Sequence, residues 1–249
     1  MATSGTGPGH RRRAVALALL GSVVVASVAH PPRPAVGTVS SADPNFTVDE
    51  TLPAFREASE WFLSVLRTIG DDQWGAPALG EWTVLELAAH ASRAYATVAD
   101  YLAPQGDIDV GSAAEYFRRA MPDAAVNADI AERGRREARA LADDPVRSIE
   151  ARAAQTFALI EDAPVGSVCV SRGGTIALGD YLATRVVELS VHTLDLADAV
   201  GLEHAEPPPL AAHVAISVLG ALASSPSPSV LLRALTGRVP LPRGFSVFP

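Results

Sequence analysis

The sequence predicts an all-α protein: a four-helix bundle with a small β-hairpin before its last bundle helix and a short helical extension after it. Three observations lead there. Four long stretches carry apolar residues at helical spacing with cap signals at their ends. Strand signals are confined to one short segment, "VGSVCVSRGGTIAL". The chain has 249 residues, 48% of them hydrophobic, enough for one compact core.

The first helix is expected in "TVDETLPAFREASEWFLSVLRTIG", with acids in its opening turn and Gly70 as its C-cap. "DDQWGAPALGEW" reads as a loop from its Gly and Pro content. The second helix follows in "TVLELAAHASRAYATVADYLA". Thr83 and Glu86 form a capping-box pattern at its start, and Pro104 lies just beyond its end. Shorter helices are expected from Ala113 to Ala120 and from Asn127 to Leu141. Asp144 and Pro145 supply an N-cap and first-turn pair for a helix running to about Glu161. Two β-prone runs then flank Arg172, Gly173 and Gly174 as a hairpin. Asp180 is expected to cap the last bundle helix and Gly201 to end it. The extension, residues 203–249, holds two helical patterns separated by "SSPSPS".

Ahead of this lies a different kind of segment. "RRRAVALALLGSVVVASVAH" places three arginines before an apolar run, and a Pro-rich linker follows it. Three readings of residues 1–44 stay open: a secretory signal, a membrane anchor through residues 11–30, or a true start further along the chain. The run is short for a span, which needs about 20 apolar residues. The first two readings imply an exported or anchored protein, the third a cytoplasmic one. The folded domain is expected over residues 45–202.

Composition narrows the chemistry. The formal net charge of -8 argues against a nucleic-acid partner. All 20 basic residues are Arg, which excludes lysine Schiff bases and a Walker-type phosphate loop. Cys169 is the single cysteine, so neither an internal disulfide nor a cysteine metal cluster can form.

The informative stretch is "TRVVELSVHTLDLADAVG", Thr184 to Gly201. It is apolar on most sides, yet Arg185, Glu188, His192 and Asp195 interrupt it at spacings of three and four. At about 100° per residue, Tyr181, Thr184, Arg185, His192 and Asp195 all fall within roughly 60° of Glu188. Leu182, Val186, Leu194 and Ala197 take the opposite side. A surface helix has a wide polar face; here the polar stripe is narrow, which predicts that it faces the interior or a cleft. Buried charges must be paired or bind a metal, so a functional site and a buried salt-bridge network both remain open.

Glu188 and His192, at i and i+4, make a two-ligand metal clip suited to zinc, and also to iron, nickel or manganese. A third ligand must come from elsewhere. His90, mid-helix among apolar and small residues, is the best placed, although such a histidine is more often a satisfied core residue. His10 and His30 lie in the leader, His204 in a loop, and His213 has no acidic neighbour. Two histidines and a glutamate match the open catalytic zinc sets.

Two segments carry a resemblance. "GEWTVLELAAH" and "RVVELSVHTLDLADAVG" resemble, in order and separation, the two motifs of the DinB-like, mycothiol-dependent maleylpyruvate isomerase superfamily. The resemblance spans roughly Val48 to Gly201. It implies a DinB-like four-helix bundle with a divalent metal, usually zinc, held by His90, Glu188 and His192. It also implies that Arg185 and Asp195 orient the ligands or neutralise the site, and that Trp82 packs where its helix begins.

The resemblance further implies a low-molecular-weight thiol such as mycothiol as cosubstrate. A metal lowers the pKa of a bound thiol, so the protein needs no cysteine nucleophile, and Cys169 is read as structural. The implied activity is that of a thiol-dependent isomerase or S-transferase acting on an electrophilic small molecule. The alternative is a non-enzymatic metal-binding or interaction module. The isomerase itself carries a sizeable C-terminal domain, whereas residues 203–249 offer only a short extension.

Overall fold

The computed structural model describes residues 43–120, 127–141, 143–224 and 228–248. Eight helices and three short strands form among them, in the order α1 (Val48–Leu66), α2 (Val84–Tyr101), β1 (Leu102–Ala103), α3 (Ala113–Ala120), α4 (Asn127–Leu141), α5 (Pro145–Glu161), β2 (Val168–Ser171), β3 (Gly174–Ala177), α6 (Leu178–Val200), α7 (Pro209–Ser224) and α8 (Pro228–Leu235). The protein is mostly helical with a small antiparallel sheet, as expected. The leader and most of its linker lie outside the described residues, so the readings of that segment are not addressed by the structure.

Local signals set the helix starts. Thr47 accepts from the Glu50 N–H while the Glu50 carboxylate takes the Thr47 N–H, a complete capping box for α1. Thr83 and Glu86 repeat it for α2. Asp144 accepts from the Arg147 N–H at 3.1 Å, with Pro145 opening α5. Gly201 ends α6 in the left-handed region, φ 74°, where a side chain would be strained.

α6 is the central element. It packs against α1 on one side, α2 on another and α7 on a third. Every residue from Leu178 to Ser190 is buried, so this half of the helix meets protein in all directions. Its remaining turns run out to the surface, and Leu194, expected on the apolar side, is 37% exposed. Where α1, α2 and α5 meet, Phe55, Phe62, Tyr95 and Phe157 stack with centroids 5.1 to 6.5 Å apart. The buried Tyr95 hydroxyl is satisfied by Ser59 at 2.7 Å.

Three expectations are corrected. α1 stops at Leu66 with Arg67 as its C-cap, and Gly70 sits in the following turn, where its N–H meets Gln73 Oε1. The last turn closes through Arg67 N–H bonds to Leu63 and Val65, so no glycine is needed there. Asp180 does not cap α6. β3 runs straight into the helix through Ala177, which offers no side-chain cap, and Asp180 lies inside the first turn. It accepts instead from the Phe46 N–H at 2.9 Å and from Asn45, tying down the chain that leads into α1. Gly179 permits that approach, since a Cβ there would collide with the Phe46 carbonyl. The hairpin, finally, is a three-stranded sheet in the order β1-β2-β3, because Leu102 and Ala103 pair with Cys169 and Val168. Gly174 belongs to β3, which narrows the turn to Arg172 and Gly173.

Candidate metal centre

From Tyr181 to His192 the stripe on α6 is buried rather than solvent-facing, and Asp195 beyond it is partly exposed. Glu188 is 4% exposed and His192 fully buried. α2 lies against this face and brings His90, itself 4% exposed, beside them. The two imidazole rings stand 5.0 Å apart, centroid to centroid, and nearly perpendicular at 81°. One ligand atom from each of His90, Glu188 and His192 can be chosen so that all three lie within 4.8 Å of one another. Around a tetrahedral zinc ion, N and O donors at about 2.0–2.2 Å stand roughly 3.3 Å apart, a spacing within reach of side-chain rotation.

Two buried atoms support that fit. Glu188 Oε1 and His192 Nε2 have no hydrogen-bond partner. Glu188 Oε2 lies 3.5 Å from His192 Nε2, too long for a full hydrogen bond though close enough for attraction. An unsatisfied buried polar atom costs about 1–3 kcal/mol, and a shared cation would satisfy both. The donor set, two imidazoles and a carboxylate, is one that a divalent metal of the zinc kind accepts.

His192 is held from its other side. Its Nδ1 lies 3.0 Å from Asp195 Oδ2, which fixes the ring and leaves Nε2 directed at the ligand cluster. Burial works against a charged His192, but the Asp195 and Glu188 carboxylates outweigh it and raise its pKa to about 9. A metal arriving at neutral pH must therefore displace a proton. His90 is wedged against Trp82, whose ring lies 4.6 Å away, consistent with a packing role for that residue.

Arg185 is one turn nearer the start of α6 and only 3% exposed. Its Nη2 stands 3.9 Å from Glu188 Oε1, close enough for attraction but beyond hydrogen-bonding range. Its guanidinium lies over the Tyr181 ring at 4.8 Å. Sequence reasoning placed Tyr181 on the stripe but missed Tyr116 of α3, whose ring lies 6.0 Å from the Arg185 guanidinium carbon. No local pattern in α3 could have signalled that contact. Cys169 is fully buried in β2, and burial pushes its thiol up to about 12 despite the nearby Arg185, which keeps it protonated near neutral pH. His213 is exposed on α7 and His204 sits in a turn; neither joins the cluster. His10 and His30 lie outside the described residues.

The most buried helix of this helical protein presents glutamate and histidine to a histidine of a neighbouring helix, an arrangement of the kind that can hold a metal between helices. The family model of the mycothiol maleylpyruvate isomerase N-terminal domain matches residues 55–197, more than half of the chain, and the protein belongs to that DinB-like family. The matched region contains His90, Glu188 and His192. No curated protein and no solved structure matches the chain. Among the described residues, no helix is long and apolar enough to cross a membrane.

Proposed function

We propose that the protein is a metal-dependent enzyme that uses a low-molecular-weight thiol, of the mycothiol type, as an isomerase or S-transferase. The observation that carries this reading is the convergence of His90, Glu188 and His192 in the interior, with two of their donor atoms otherwise unsatisfied. Family membership supplies the link to a thiol. Zinc is the metal this reading favours, and a bound divalent ion would hold the thiol as its nucleophilic thiolate. His90, Glu188 and His192 would be the ligands. Asp195 would orient His192, and Arg185 would offset the carboxylate charge. The partners are then a small thiol and an electrophilic small molecule. The framework fits a four-helix bundle of α1, α2, α5 and α6, in which α6 packs on α1 and α2, and α5 packs on the same two.

The competing reading keeps the metal and drops the chemistry. A cobalt-substituted sample separates the two. Under the enzymatic reading, adding thiol brings sulfur onto the metal and produces charge-transfer absorption. Absorption unchanged at saturating mycothiol, and with other small thiols, would favour a metal-binding module without catalysis.

A further inference from the structure

A cation shared by Glu188 and His192 leaves a further buried polar atom on the stripe unexplained. The Tyr181 hydroxyl is fully buried and has no hydrogen-bond partner. Tyr181 lies seven residues before Glu188, about 10 Å of backbone rise along the helix, and is not among the three residues that cluster as ligands. The Thr97 hydroxyl lies beside it, donating to the Arg93 carbonyl at 2.8 Å and accepting from Arg185 Nη1 at 3.4 Å; it attracts the Tyr181 hydroxyl without making a well-formed hydrogen bond to it.

Arg185 lies between this hydroxyl and Glu188. A guanidinium has five N–H donors. Arg185 makes two hydrogen bonds, from Nε to Thr184 Oγ1 at 3.0 Å and from Nη1 to Thr97. Its nearest carboxylate, Glu188, is out of hydrogen-bond range and, in the proposed site, serves the metal. A buried cation with unused donors thus lies over the ring of a buried tyrosine whose own hydroxyl has no partner. Tyr101 and Tyr116 flank that ring, with centroids 6.1 and 5.6 Å from that of Tyr181.

We propose that Arg185 and Tyr181 form a carboxylate-binding subsite alongside the metal centre. The bound group would be the carboxylate of the electrophilic substrate or, since mycothiol carries no free carboxylate, that of an acidic thiol used in its place. A planar carboxylate accepts two guanidinium N–H bonds side by side and a third from the tyrosine, satisfying the unused donors together. It would hold one end of a small acid while the reacting end lies at the metal. This rests on the metal and thiol reading above.

The test uses the cobalt-loaded full chain and a series of ω-mercapto-carboxylates, from mercaptoacetate to 5-mercaptovalerate. Each is paired with the neutral mercapto-alcohol of equal length. Thiol affinity is read from the charge-transfer absorption. At one chain length the acid should bind at least about tenfold more tightly than the alcohol, the size expected of a charge-assisted pair. Tyr181→Phe should cut that ratio several-fold, and Arg185→Lys, which keeps the charge but loses the paired N–H donors, should cut it at least as far. Should Arg185→Lys fail to fold, as judged by circular dichroism, Tyr181→Phe alone decides.

Butyrate, titrated by calorimetry into protein saturated with 2-mercaptoethanol, distinguishes the sources. One-to-one binding with the absorption retained assigns the carboxylate to the electrophile; a gain seen only in the mercapto-acids assigns it to the thiol. An acid-to-alcohol ratio near one at every length, with no butyrate binding, overturns the subsite and leaves the thiol enzyme standing. So does a ratio that neither variant changes, since the carboxylate would then sit on the metal. If no thiol produces the absorption, the thiol reading fails; butyrate binding that both variants abolish would still support the subsite, and its absence would sink both.

Discussion

The ion pairs on the outside of this molecule and the charged stripe within it are built in opposite ways. Arg67 reaches Glu150 with two nitrogens on one carboxylate oxygen, yet the two side chains are 55% and 37% exposed. Arg56 and Glu161 are similarly exposed and similarly close. On α6, Arg185 and Glu188 are nearly sealed from solvent, but they stand 3.9 Å apart and leave carboxylate and imidazole atoms without partners. Exposed pairs can afford good geometry because little energy rides on it. The interior pair violates what burial demands, and an arrangement that costs stability without completing its own bonds is one suited to a ligand.

The comparison breaks most visibly at Glu188. In the metal-free protein near neutral pH, Glu188→Ala strips Arg185 and protonated His192 of a buried acid. We expect a loss of about 3 kcal/mol or more, together with loss of tight metal binding. Chemical denaturation compared with Glu150→Ala tests this. A difference within about 1 kcal/mol between the two would mean that burial adds nothing to the interior pair.

pH sharpens the same contrast. The pKa of His192 in the folded, metal-free protein is raised to about 9 from its ordinary 6.5. Its stabilising contribution is therefore full below about pH 6.5 and lost as the pH rises through about 9. Metal affinity should move the opposite way, because metal displaces that proton. We expect it to strengthen by up to about tenfold per pH unit between about pH 6.5 and about pH 8.5. Flat affinity across that range, measured in competition with a chelator, would mean that His192 is not a ligand.

Smaller effects follow further from the cluster. Asp195→Asn keeps a hydrogen bond to Nδ1 but removes its charge, and should weaken metal binding by about 10- to 100-fold. Unchanged affinity in the same competition assay would reduce Asp195 to a solvated neighbour. Glu150→Gln is expected to lower stability by no more than about 1 kcal/mol and to leave metal content untouched.

The two regions were not equally legible. Helix starts could be read at Thr83 and Asp144 because a cap and its partner lie within three residues. The polar stripe of α6 was legible for the same reason, since i, i+3 and i+4 neighbours share a face. Asp180 misled because its partners, Asn45 and the Phe46 N–H, lie over 130 residues away, and a local rule sees only a cap residue near a helix start. β1 was hidden because two residues at the end of a helix carry no alternation to detect. His90 was selected by its setting and by the family motif; that its ring meets His192 at 5.0 Å depends on how α2 packs on α6, which no spacing encodes. Tyr116 needed the position of α3 as well.

The central claim is that two helices far apart in sequence share one ion. Metal content per chain, measured on purified wild type, His90→Ala, His192→Ala and His213→Ala, tests it most directly. The account predicts one ion in the wild type and in His213→Ala, and none retained tightly in either His90→Ala or His192→Ala. Full occupancy in His90→Ala alongside loss in His192→Ala would contradict it and turn the search for a third ligand to Asp195. No metal in the wild type, even after incubation with zinc or cobalt, would leave the stripe as a buried salt-bridge network.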